Sequence, residues 1–331
     1  MHRHSYRWAV VITLGLSLPA CERQPAVVTE HGASVETATE MWTVRFDRDD
    51  RGHDFDELLV QGDRVLLLDG ADATVHARDL RTGDSLWIAG RRGAGPGEFL
   101  VPDELVDAGP ARFGVADSRQ GRLSVFSGPA LDAPAGTLPL EGQLNSYCRE
   151  ATGSYIAIRF GDMMIVRLRK EAPPAVIDSI VWPVPVYNEV LGLRQARFAR
   201  SREGRCIVWQ PKGNYFFEVT ASAESDREYR RYADPYPAPR IDRSGPYPRA
   251  VSAPSAAKDA AVFGDSLFVL RGSMYTGPGA MVDVYDLGTG RRVKSLSVPH
   301  DDAYQIDVAT GLLVVLRSTE RGSILSAYAR R

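Results

Sequence analysis

Short apolar runs alternating with polar turns fill the chain from about residue 41 onward, and apolar positions almost nowhere keep the spacing of an amphipathic helix. The clearest case is 112–126, R-F-G-V-A-D-S-R-Q-G-R-L-S-V-F. Phe113 and Val115, then Leu123 and Val125, follow the period of two that a half-buried strand requires, and 117–121 supplies the turn between them. The pattern predicts a β-hairpin here and, by extension, an all-β body.

Grouped by their turns, the strands fall into units of four. Unit one has strands near 58–60, 64–69, 74–79 and 85–89, and unit two near 103–107, 112–117, 122–126 and 136–140. Unit three spans 143–148, 154–160, 163–169 and 175–181, and unit four 191–199, 205–210, 214–220 and 227–232. Unit five follows at 260–263, 266–271, 281–286 and 292–298. The last unit offers only three, near 303–308, 312–317 and 324–329, and a lone strand at 41–46 supplies the missing fourth. Radial packing of such units leaves only short sheet edges. The arithmetic predicts a six-bladed β-propeller over 41–331, its last blade closed by the N-terminal strand. T-V-H-A-R-D-L-R-T-G at 74–83 and M-V-D-V-Y-D-L-G-T-G at 281–290 share D-L-x-T-G after an alternating strand, the internal repetition expected of a radial fold.

The connection at 90–99, G-R-R-G-A-G-P-G-E-F, followed by the F-G-V-A-D and R-L-S-V-F hairpin, resembles the six-bladed propeller proteins related to NHL repeats. Many of these are bacterial lipoproteins, with an inter-blade connection reading G-x-G-x-G-P-G-E-F. The likeness is specific in units one and two, weaker in unit five, and only architectural in the others. It implies a propeller with a binding or scaffold role, since one fold hosts many functions.

Residues 1–20 read as a leader rather than as part of this body. His2, Arg3, His4 and Arg7 precede an apolar run at 8–18 that is too short to span a bilayer comfortably, and L-P-A-C follows at 18–21. The layout resembles a bacterial lipoprotein signal peptide with its lipobox, although Pro19 departs from the usual residue there. That resemblance implies cleavage before Cys21, lipidation of Cys21, and a lipid-anchored place in the bacterial cell envelope, facing the periplasm or at the outer membrane. A general secretory signal with an incidental cysteine is the other reading. Residues 21–40 are polar and aperiodic, which predicts a flexible tether.

Composition adds constraints. With 44% hydrophobic and 25% charged residues in 331, the chain can build a sizeable core. Its 40 basic and 42 acidic side chains leave no broad cationic surface, so nucleic acid is not an expected partner. Beyond Cys21 only Cys148 and Cys206 remain. An oxidising compartment lets them pair, and two separate buried thiols is the competing reading.

Candidate chemistry is sparse. The glycines of 93–97 are followed by a strand rather than by a helix N-terminus, which excludes a phosphate loop. G-D-S-L occurs at 83–86 and at 264–267, each at a turn entering a strand, a context that does not fit a nucleophilic serine. No two histidines stand at ligand spacing, and Asp69 and Asp117, ending strands near one rim, read first as turn caps. The most suggestive segment is the Pro-rich insertion at 233–257. Two Pro-Tyr-Pro triplets carry Tyr236 and Tyr247, interleaved with Arg240, Arg243 and Arg249, and such residues concentrate binding energy. A surface strap packed on its neighbours is the competing reading. The expectation is a monomeric, membrane-anchored binding or scaffold propeller for an envelope protein or small ligand, with no catalytic residue, metal ligand or cofactor assigned. The alternative is a propeller-type hydrolase or lyase with a divalent cation, Ca²⁺ for instance, in the central channel.

Overall fold

The structure is a computed structural model, and it describes residues 34–47, 55–129, 134–170, 173–190, 193–219, 228–232, 236–273 and 279–330. The leader 1–20 and Cys21 lie outside the described residues. Six sheets form the body in the order of the chain, antiparallel except for one added parallel edge strand. Blade 1 is built from Glu57–Gln61, Arg64–Asp69, Thr74–Asp79 and Ser85–Ala89, and blade 2 from Pro102–Asp107, Phe113–Asp117, Arg122–Phe126 and Gly136–Pro139. Blade 3 comprises Leu144–Arg149, Tyr155–Arg159, Met164–Arg167 and Ala175–Ser179, and blade 4 Arg197–Phe198, Cys206–Trp209, Tyr215–Val219 and Arg230–Arg231. Blade 5 holds Ala257–Phe263, Ser266–Arg271, Ala280–Asp286 and Arg292–Val298, and blade 6 Ala303–Ala309, Leu312–Thr319 and Gly322–Ala329. First strands of neighbouring blades touch around the ring, so the fold is a six-bladed β-propeller with these strands lining its channel.

Core side chains explain the runs in the sequence. Each pair of adjacent blades encloses its own apolar cluster. Leu58, Val60, Val65 and Leu67 pack against Val314, Leu316 and Leu325 of blade 6, while the intervening Leu59, Leu66 and Leu68 face Phe113, Val115 and Phe126 of blade 2. Both faces of a blade are therefore buried, and its inner strands read as continuous apolar stretches such as R-V-L-L-L-D. Truncating one of these leucines to Ala is expected to cost about 2–5 kcal/mol.

Ring closure follows the count of strands. Thr39–Asp47 pairs antiparallel with Gly322–Ala329, from Thr39↔Ala329 to Asp47↔Gly322, and becomes the outer strand of blade 6. Trp42 Nε1 donates to the Leu80 carbonyl at 3.0 Å, pinning this strand to blade 1. The repeated D-L-x-T-G is an aspartate-capped turn. Asp79 Oδ1 accepts from the Arg81 and Thr82 amides at 2.8 and 2.9 Å, and Asp286 Oδ1 accepts from the Thr289 amide and hydroxyl at 2.6 and 2.7 Å. Gly83 is required there twice over: its φ is +79°, and a Cβ would lie 2.8 Å from the Trp42 ring.

Two sequence expectations are corrected. Part of the expected tether is ordered sheet: Ser34–Thr37 pairs parallel with Arg292–Val298, giving blade 5 a fifth strand, and residues 39–40 begin the closing strand. Backbone pairing to an open edge, a Glu36–Lys294 ion pair of 2.7 Å and burial of Ala38 hold it, so S-V-E-T shows no apolar period. The first strand of blade 4, expected over 191–199, is confined to Arg197–Phe198, and a single helical turn at Val186–Glu189 precedes it. The Pro-rich insertion carries a short sheet of its own. Arg240–Asp242 and Arg249–Ser252 form a two-stranded hairpin outside the blades.

Candidate functional site

First strands deliver a polar side chain to the channel at or near their starts: Glu57, Glu104, Asn145, Arg197, Asp259 and Gln305. These residues divide the channel into a closed part and an open part. The closed part is made by two arginines that follow the short first strand of blade 4. Arg200 Nη2 meets Glu57 Oε2 of blade 1 at 2.7 Å, and its Nη1 bonds Asp259 of blade 5. The Asp259 carboxylate also accepts from the Ile306 amide of blade 6 at 2.8 Å. Backbone pairing joins blades 4 and 5 directly here, with Val262 N donating to the Arg200 carbonyl at 2.6 Å. Arg202 Nε donates to the Val60 carbonyl at 2.6 Å and its Nη2 lies 2.9 Å from Asp307, which accepts from the Val60 amide at 2.5 Å. Burial works against the Arg200 charge, yet Asp259, Glu57 and Asp307 outweigh it and raise the pKa of the guanidinium. Burial in turn raises the carboxyls of Glu57 and Asp259, with Arg200 opposing it.

The open part is a pocket of about 410 Å³ with walls from blades 1 to 5. Its back wall is the first strand of blade 3, which bulges between Asn145 and Tyr147. At the bulge Ser146 has φ +61°, a left-handed conformation that costs a non-glycine residue about 1–3 kcal/mol and is concentrated at functional sites. The bulge is held from both sides. Tyr147 N donates to Glu104 Oε1 of blade 2 at 2.9 Å, and Phe198 N of blade 4 donates to Ser146 Oγ at 2.7 Å. Behind it Cys148 is disulfide-bonded to Cys206 of blade 4, with Cα atoms 5.8 Å apart.

Several groups in this pocket lack partners among the described residues. Asn145 Oδ1 and Ser201 Oγ are buried without a hydrogen bond, and outside the pocket, on the first strands of blades 1 and 6, so are Gln61 Oε1 and Gln305 Oε1. The Arg197 side chain lines the mouth, exposed, and makes no ion pair or hydrogen bond among the described residues, while its charge acts on Glu57 and Glu104. Burial and the neighbouring Glu57 push the Glu104 carboxyl up to about 8, against the Tyr147 amide, Arg197 and Arg200. Burial likewise raises Asp107, lower on the same strand, to about 6, with the Gly109 amide and Arg149 opposing it.

The sequence-predicted candidates lie elsewhere. Tyr236 and Arg243 wall a second cavity of about 410 Å³, with Tyr187, Tyr215 and Arg231 of the neighbouring segments. The Tyr236 hydroxyl reaches the carbonyls of Lys212 and, at 2.7 Å, Pro254, so this tyrosine ties the strap down. Arg243 pairs with Glu189 at 2.9 Å and Arg249 with Asp242 at 3.5 Å, while Arg240 and Tyr247 face solvent, Tyr247 at 78% exposure. Asp117 is buried and accepts from the Leu100, Val101 and Gln120 amides, and Asp69 accepts from the Asp72 amide. Among the described residues no three His, Cys, Asp or Glu side chains are placed to hold a metal ion. The 90–99 connection is wired to its hairpin by Gln120 and Arg122, which donate to the Gly93, Gly95 and Glu98 carbonyls.

Sequence reasoning missed Asn145, Arg197 and Glu104. One signal was present: units one and two both open on Glu-Leu, at 57–58 and 104–105, a charged residue leading a strand whose remainder is apolar.

No family model matches the chain, and no curated protein resembles it in sequence at a significant level. Solved structures do. A protein of Bacteroides fragilis described as exported aligns over 89% of this chain and 95% of its own, at 10% identity and a TM-score of 0.54. A catalytically inactive virginiamycin B lyase of Staphylococcus aureus, solved with quinupristin, aligns over 87% of this chain and 88% of its own, at 10% identity and a TM-score of 0.51. At such identities the likeness is one of fold.

Proposed function

We propose that this propeller is an exported binding protein, anchored to the envelope through Cys21, and that it takes a small polar ligand in the mouth of its channel. The observation that carries the reading is the contrast within one channel. Arg200 on one wall of the pocket is met by Glu57 and Asp259, whereas among the described residues the Arg197 side chain on the same pocket has no ion pair and Asn145 Oδ1 is buried without a donor. Leaving a buried polar atom unmet costs about 1–3 kcal/mol, a burden that a bound ligand relieves. A pocket of this volume with few convergent polar groups is the usual form of a small-molecule site. The Cys148–Cys206 bond suits an oxidising compartment, in keeping with the leader.

The test is thermal-shift screening of the purified chain against a library of small polar metabolites. A compound that raises Tm in the parent and not in an Asn145→Ala, Arg197→Gln double variant supports the reading, and a library without such a compound removes it. Anchoring is tested separately by incorporation of labelled palmitate, which Cys21→Ser is expected to abolish.

A further inference from the structure

The three unsatisfied groups of the pocket do not ask for the same thing. Arg197 offers only donors and a positive charge, Asn145 Oδ1 is an acceptor, and Glu104 receives one backbone N–H on one of its two oxygens. Their placement is fixed by the bulge between them. Tyr147 is stitched to Glu104 on the blade 2 side, and Ser146 to Phe198, the neighbour of Arg197, on the blade 4 side. Asn145 immediately precedes this pair of stitches. Cation and carboxyl thus stand on opposite flanks of one amide, and among the described residues they form no ion pair with each other.

We propose that the pocket is selective for a small zwitterion, whose carboxylate binds Arg197 and whose ammonium group is received by Asn145 Oδ1 and Glu104. The proposal rests on the reading of this pocket as a ligand site. A simple anion satisfies Arg197 and leaves both acceptors without a donor, and a simple amine does the reverse. Only a ligand carrying both groups completes the set, and each missing partner is expected to weaken binding about 5- to 150-fold. On the same pocket wall Glu57 and Asp259 form their ion pairs with Arg200 rather than with Arg197.

The experiment uses the full chain in detergent and measures affinity by calorimetry for L-alanine and L-alanyl-L-alanine. The same two compounds are then offered N-acetylated, which removes the ammonium group, and C-amidated, which removes the carboxylate. The parent protein is expected to prefer the free zwitterions over both blocked forms. Arg197→Gln should erase the preference for a free carboxylate, and Glu104→Gln with Asn145→Ala the preference for a free ammonium, with Tm confirming that each variant is folded. Blocked compounds that bind as well as their parents overturn the proposal. If no zwitterion binds, yet a library compound of another class shifts Tm in an Arg197-dependent way, the assignment to zwitterions falls while the pocket remains a ligand site. If nothing binds there at all, the earlier reading falls first.

Discussion

Arg197 and Arg200 leave the same short segment of blade 4, three residues apart, and meet opposite fates. Arg200 is 14% exposed and gripped by carboxylates from two other blades, while Arg197 stands at the pocket mouth with no partner among the described residues. A protein that used this segment only to seal its channel would have matched both charges. The difference teaches that the channel is closed in one part by design of its ion pairs, and left open in the other at the expense of unmet hydrogen bonds.

The comparison is broken most severely at the paired arginine. Arg200→Ala leaves Glu57 and Asp259 buried without a counter-charge and is expected to destabilise by about 3–5 kcal/mol in urea unfolding. An unchanged midpoint would mean that the clasp is incidental. Next comes the disulfide, which backs the open part where ion pairs are scarce. Cys206→Ser opens a loop of 58 residues, and a loss of about 2–5 kcal/mol is expected against the oxidised parent, with no loss under reducing conditions.

A third effect separates the two parts by pH. Glu104, facing Glu57, Arg197, Arg200 and the Tyr147 amide, holds its proton up to about 8 in the folded state, whereas an unfolded glutamate releases it near 4.5. Between those values the folded chain binds more protons than the unfolded one, so this group's contribution is complete below pH 4.5 and is lost as pH rises through about 8. Glu104→Gln should flatten the fall in stability across that window, and an unaltered slope would place the titration elsewhere. The smallest effect belongs to the exposed arginine: Arg197→Gln should change stability by no more than about 0.5 kcal/mol, because its side chain is exposed and makes no ion pair or hydrogen bond among the described residues. A loss as large as that of Arg200→Ala would erase the distinction between the two.

Much of the fold was legible because burial on both faces writes a strand into the sequence as an apolar run bounded by turn residues, as in Arg64–Asp69. The closing strand was legible through the other pattern, Val44 and Phe46 alternating with polar neighbours on a half-covered outer strand. Ser34–Thr37 was not, since it is held by backbone pairing at an edge and three of its four side chains face solvent. The site was harder still. Glu104, Asn145 and Arg197 are far apart in the chain and each looks like an ordinary polar residue at the start of a strand. Only closing the ring brings them to one wall, and the left-handed Ser146 that shapes that wall carries no composition signal. Tyr236 and Arg243 were legible as unusual, but what they surround depends on Tyr187 and Tyr215, which the insertion itself does not contain.

The pairing of Thr39–Asp47 with Gly322–Ala329 joins two strands that lie at opposite ends of the propeller sequence. Until those two strands meet, blade 6 lacks its outer strand. Sealing the ring therefore closes the longest loop in the fold with a single ladder, so that step is governed by contacts remote in sequence rather than by the hairpins within each blade.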